Sequence, residues 1–156
     1  MPTSITPAAA AFLIAARLAR VSTVNADGSP HVVPMWFAPV DDAFHFTSRH
    51  ARRTVRNLLR DDRVAFVVDD ENPRHYRAVF VEGRAHFLDS GVAEVVRAIA
   101  RRYLPPPGDD RYAAYMLAQP DRIAFRVVPH RVSHWGLETP DSVARVLGGE
   151  RPEPLP

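Results

Sequence analysis

The chain has 156 residues, 46% of them apolar, a formal net charge of +2 and no cysteine. This suits one globular domain with a full core, and it excludes disulfides, thiolate metal sites and a cysteine nucleophile while fitting a cytoplasmic protein. No apolar run approaches the ~20 residues of a membrane-spanning helix, and the Ala-rich start at Ala8–Ala16 lacks the basic residue that precedes an export signal.

In chain order, Thr6-Pro7 ahead of Ala8–Leu18 predicts a capped helix with Pro at its first position. Arg20–Asn25 predicts a strand with Val21 and Thr23 on one side, and Asn25–Pro30 a turn. His31–Val40 predicts a second strand, hairpin-paired with the first; Pro34 within it implies an edge or a bulge. Asp41-Asp42 leads into a third strand, Ala43–Thr47. A helix over His50–Arg60 follows, with Thr47 or Ser48 as its cap.

Arg63–Val68 is apolar enough to predict a fourth strand buried on both faces, and Asp69–Pro73 is a turn. Tyr76–Leu88 predicts a fifth strand with a bulge at Gly83. Asp89–Leu104 predicts an amphipathic helix with Val92, Val95, Val96 and Ile99 inward. Pro105–Gly108 breaks it, and Arg111–Gln119 predicts another short helix. Ile123–Val128 predicts a sixth strand and Val132–Trp135 a short seventh. Strands this closely spaced cannot form a doubly wound parallel sheet, which needs a crossover of a dozen or more residues. They predict a mainly antiparallel barrel with helices at its ends, one domain over 1–147, and a disordered tail at 148–156.

The chemistry concentrates in Thr47–Arg60. At 100° per residue, Val55, Leu58 and Leu59 share one helical arc, and Arg52, Arg53, Arg56 and Arg60 the opposite one. Such an arc serves either as a solvated face or as an anion seat. Arginine at a helix N-terminus opposes the dipole by a few tenths to about 1 kcal/mol. A bound phosphate reverses that penalty, since both the dipole and the guanidinium forks favour it. With no lysine in the chain, all twenty basic residues are Arg, so an anion site must use Arg, backbone N–H groups or hydroxyls such as Thr47 and Ser48.

Four segments, in order, carry a family resemblance: Arg20–Phe37; Thr47–Leu59 with Asp61–Val64 after it; Val81–Ala85; and Arg122–Val127 running into Pro129–Val132. Over Ala11–Gly136 the chain resembles the split-barrel flavin and deazaflavin oxidoreductases, the superfamily of pyridoxamine 5′-phosphate oxidase-like proteins, and within it the branch using coenzyme F420. The resemblance implies an α+β fold, a split antiparallel β-barrel of six to seven strands of the FMN-binding type. It implies a homodimer with cofactor at the subunit interface, and a cofactor phosphate at Thr47, Ser48, Arg52, Arg53, Arg56 and Asn57. It lays the tricyclic ring along Val33, Pro34, Met35, Trp36 and Phe37. Relatives commonly carry Lys two residues before the Arg56-Asn57 pair, where this chain has Thr54. The expected activity is hydride transfer between F420 and a small organic substrate, with FMN the alternative cofactor. The acidic tail of F420 would meet Arg49, Arg53 and Arg60.

Other classes fit less well. His130 and His134 are four apart in a β segment, roughly 13 Å, too far for one metal. Haem remains an alternative because related split barrels bind it, but no axial ligand stands out. The Arg arc with Tyr76, Phe80 or Trp36 could hold nucleic acid by phosphate contact and stacking; the acidic turn at Asp69–Glu71 opposes that. No Gly-x-Ser-x-Gly elbow is present, and no residue is singled out as catalytic.

Overall fold

The structure is a computed structural model and describes residues 5–70 and 77–138. Among these residues there are seven strands and four helices: α1 (Pro7–Ile14), β1 (Ala19–Val24), β2 (Pro30–Met35), β3 (Ala38–Val40), β4 (Ala43–Arg49), α2 (Arg53–Arg60), β5 (Arg63–Asp69), β6 (Ala78–Phe87), α3 (Val92–Tyr103), α4 (Gly108–Leu117) and β7 (Arg122–Trp135).

The strands form one sheet in the order β2-β1-β5-β6-β7-β4-β3, with every neighbouring pair antiparallel. Its edges, β2 and β3, are separated in the chain only by Trp36 and Phe37. In a flat sheet, six strand spacings would put those edges roughly 29 Å apart. Three Cα steps span at most about 11 Å. The sheet therefore has to curl until its edges nearly meet, giving the split-barrel α+β fold expected from the sequence. Trp36 and Phe37 are the corner.

Phe37 points inward and is fully buried, with ring centroids 6.0, 5.9 and 6.1 Å from Phe44, Phe46 and Phe66. Phe46 in turn stacks on Phe125 at 5.2 Å. These rings and the inward residues of β1, β5 and β6 (Val21, Phe66, Val79, Val81) make the barrel core. Outside the barrel, Val95 and Ile99 of α3 pack on Ala38 and Ala124, and α4 packs on α3 through Ala113.

Several expectations are corrected. α1 ends at Ile14, not Leu18, because Ala15 turns extended and the Arg102 guanidinium takes the carbonyls of Leu13, Ile14 and Ala15. The run His31–Val40 splits at the Trp36–Phe37 corner. Pro34 does lie on an edge strand, where its missing N–H breaks no ladder bond. β5 is not buried on both faces but alternates, with Ala65 and Val67 half-exposed on its outer side. The sixth and seventh strands are one, β7; its register skips His130 opposite Glu82 and Gly83, so the extra residue of the predicted bulge lies on β7.

The helix after β4 starts at Arg53, not His50, since Thr47 and Ser48 continue β4 by pairing with Ala124 and Ile123 and so cannot cap it. Its N-cap is Arg52, with no side-chain cap bond. Leu59 is 56% exposed rather than inward. The buried arc is Thr54, Val55, Asn57 and Leu58. The predicted turn at 71–73, the domain boundary at 147 and the tail 148–156 lie outside the described residues. Among those described, no helix is long and apolar enough to cross a membrane, and no group of three potential metal ligands occurs.

His45 sets a pH dependence. Its Nδ1 is buried with no hydrogen-bond partner, and burial, then Arg126, lowers its pKa below 6.5. The unfolded chain therefore takes up this proton first as pH falls, so stability is full above pH 6.5 and declines below it. Denaturation midpoints measured from pH 7.5 to 5 should show this decline, and His45→Gln should flatten it.

Candidate functional site

A cleft of about 780 Å³ opens where the edge strand β2 faces the end of β4 and the start of α2. Two groups of residues with different chemistry line it, joined where Arg122 bonds Met116. One is cationic and hydroxylic: Thr47, Ser48 and Arg49 from β4, Arg52, Arg53 and Thr54 from the turn into α2, and Arg122 from the start of β7. The other is apolar and aromatic: Val33, Pro34, Met35 and Trp36 of β2, with Tyr112, Tyr115 and Met116 of α4. Among the described residues, no Asp or Glu lines it.

The aromatic wall is held rigidly. Trp36 stacks on Tyr103 at 4.6 Å with the planes 4° apart, and Tyr112 meets it at 5.0 Å, tilted by 46°. The Tyr103 hydroxyl donates to the Arg17 carbonyl at 2.6 Å and accepts from the Phe37 N–H at 3.3 Å. The corner that closes the barrel thus also orients the wall. Partial burial raises the Tyr112 pKa, so its phenol stays neutral.

At the cationic end, α2 begins with no acidic residue in its first turn and no side-chain cap, leaving N–H groups and the positive dipole end available to an anion. Among the described residues neither Arg52, Arg53 nor Arg122 pairs with a carboxylate. Arg53 lies toward the β1–β2 turn, where its charge helps Ser29 hold the Asp27 carboxyl below its usual value. Thr54, where the family resemblance led to an expectation of Lys, is buried with Oγ1 at 3.4 Å from His31 Nε2, so it ties α2 to β2.

Of the residues expected from the sequence, Val33, Pro34, Met35, Trp36, Thr47, Ser48, Arg52 and Arg53 come together here. Phe37, Arg56, Asn57 and Arg60 do not line the cleft. Phe37 belongs to the core. Arg56 donates outward to the Ala51 carbonyl at 3.3 Å, and Arg60 takes the Val24 carbonyl. Asn57 is 3% exposed, its amide donating to Thr23 Oγ1 and Asn25 Oδ1 at 3.0 Å each, which locks α2 onto the first hairpin. The sequence reading missed His31, Arg122 and the α4 face. The last had a signal: Tyr112, Tyr115 and Met116 recur at helical spacing, which puts them on one side of α4.

A curled split barrel with a cationic cleft end beside a rigid aromatic wall defines a class of protein built to hold a flavin-type cofactor. The chain belongs to the pyridoxamine 5′-phosphate oxidase family, whose model matches residues 5–136. It is 32% identical over 134 residues to 5a,11a-dehydrotetracycline/5a,11a-dehydrooxytetracycline reductase of Streptomyces rimosus, covering 81% of this chain and 80% of that protein. Among solved structures it resembles a conserved hypothetical protein from Mycobacterium tuberculosis (TM-score 0.74, 26% identity, 88% of each chain). It also resembles an F420 reductase (TM-score 0.61, 28% identity, 79% of this chain and 94% of that one).

Proposed function

We propose that this protein is a reductase that binds coenzyme F420, works as a homodimer in the cytoplasm, and reduces a small organic substrate. The observation that carries the reading is the cleft itself, which joins an anion seat without carboxylates to a rigid aromatic wall. The identities shared with a dehydrotetracycline reductase and an F420 reductase favour reduction and this cofactor over FMN.

The residues fit the group. Arg52 and Arg53 supply guanidinium forks, the start of α2 supplies N–H groups, and Thr47 and Ser48 supply hydroxyls, a donor set suited to a phosphate. Val33, Met35 and Trp36 give a tricyclic ring an apolar bed. The cofactor, when bound, supplies the hydride chemistry. This chain's part is placement: Arg52, Arg53 and the start of α2 would hold the phosphate, and Val33, Met35 and Trp36 would bed the ring.

Arg53→Gln should weaken cofactor binding by about 1.5–3 kcal/mol, the scale of a charge-assisted hydrogen bond. Arg56→Gln, although the same charge is removed one helical turn later, should leave affinity unchanged, because Arg56 faces away from the cleft. Fluorescence-quenching titrations with F420 and with FMN read both. Equal losses in the two variants would show a diffuse charge effect rather than a seat.

A further inference from the structure

Arg49 and Arg122 stand directly opposite each other across the β4–β7 ladder. Like charges in that position repel, yet only one of the two is neutralised. Asp121 accepts from Arg49 Nε at 2.7 Å. Arg122 is half-buried on the cleft and makes no ion pair among the described residues; its Nε donates to the Met116 carbonyl at 3.3 Å and its Nη2 lies 3.4 Å from the Met116 sulfur. Burial disfavours its charged form; Tyr112 and Asp121 offset this in part and Arg49 and Arg52 add to it, and the net effect lowers its pKa. One carboxylate, Asp121, thus pairs with Arg49 and also acts on Arg122, while Arg52 adds a third positive charge close to Arg122.

We propose that Arg49 and Arg122, with Arg52 between them and the α2 seat, form a second oxyanion seat for a carboxylate or phosphate, which Asp121 partly occupies in the unliganded protein. The proposal rests on the functional reading above only in taking both seats to serve one cleft. It makes the cleft selective for a ligand set carrying two separated anionic groups. The second anion can belong to an acidic tail on the cofactor or to a separate anionic substrate. It also gives Asp121 a role: the carboxylate neutralises Arg49 until a ligand oxyanion replaces it.

The test compares the full-length wild type with Arg122→Gln and Asp121→Asn. If the anion belongs to the cofactor, Arg122→Gln lowers affinity for glutamate-tailed F420 about tenfold and leaves FMN affinity within twofold. If it belongs to a substrate, both cofactors bind as in wild type. In that case inorganic phosphate added to the cofactor-saturated wild type raises its melting temperature, and this gain disappears in Arg122→Gln. In either case Asp121→Asn, which keeps the side chain's shape and unmasks Arg49, tightens anion binding; it also serves where Arg122→Gln fails to fold. Equal losses for FMN and F420 in Arg122→Gln would place Arg122 in the first seat and overturn the proposal. So would no change in affinity or in phosphate stabilisation in both variants. If neither cofactor binds the wild type, the functional reading fails separately, and phosphate stabilisation of the unliganded protein still tests the seat.

Discussion

Phe37→Ala should destabilise the protein by about 3–5 kcal/mol, the range for removing a fully buried phenylalanine. Phe37 is completely inaccessible and sits among Phe44, Phe46 and Phe66, so its loss leaves a cavity bounded by three rings and removes its contacts with each of them. The position also closes the barrel. Phe37 is half of the two-residue link between the sheet's edges, and its N–H is held by the Tyr103 hydroxyl that positions the cleft wall. The same substitution should therefore loosen Trp36. Urea denaturation gives the stability, and the Trp fluorescence maximum of the folded state should shift to longer wavelength. A midpoint close to wild type would mean that the corner is not a keystone of the core.

Gly83→Val is the second large effect, about 3 kcal/mol, at the upper end of the cost of overpacking. A Cβ at Gly83 would lie 2.4 Å from the Val128 carbonyl oxygen and 2.9 Å from Val127 Cγ1. The first of these is backbone and cannot step aside as a flexible side chain could. It is held there by the register skip at His130, which pushes β7 over Gly83. Gly108→Ala is the matched control, since its Cβ meets only Leu104 at 4.0 Å. It should be neutral or stabilising by up to about 1 kcal/mol, because alanine restricts the unfolded chain. Thermal melts of the two variants should separate clearly; coincident melts would contradict the close approach.

Much of this fold was legible because its signals are local. Alternation marks Phe44 and Phe46, glycine marks the bulge opposite His130, and proline marks the edge strand β2. What was not legible depends on partners distant in the chain. The 100° rule put Leu59 inward and overlooked Thr54 and Asn57, because a buried asparagine is tolerable only where Thr23 and Asn25 wait for its amide. Thr47 and Ser48 read as helix caps, but pairing with Ala124 and Ile123, more than seventy residues away, keeps them in a strand. The site divides in the same way. The Arg52–Arg53 pair announced itself by sitting at the wrong helix end for its charge. Arg122 did not, since only the ladder brings it opposite Arg49.

The missing lysine also looks different in three dimensions. Thr54 faces His31 rather than solvent, so this position serves packing between α2 and β2. Positive charge at this side of the cleft comes from Arg52 and Arg53 beside it. In the proposed reading these two arginines take the part expected of the lysine.

The central claim is that the cleft between β2 and α2 holds a phosphate-bearing flavin-type cofactor through Arg52 and Arg53. Titration of the full-length protein with F420 and with FMN, followed by fluorescence quenching and repeated with Arg52→Gln and Arg53→Gln, tests it most directly. The expected result is saturable binding by the wild type, tighter for F420, with each variant weakened about tenfold or more. Absence of binding to both cofactors, or equal affinity in wild type and variants, would contradict it.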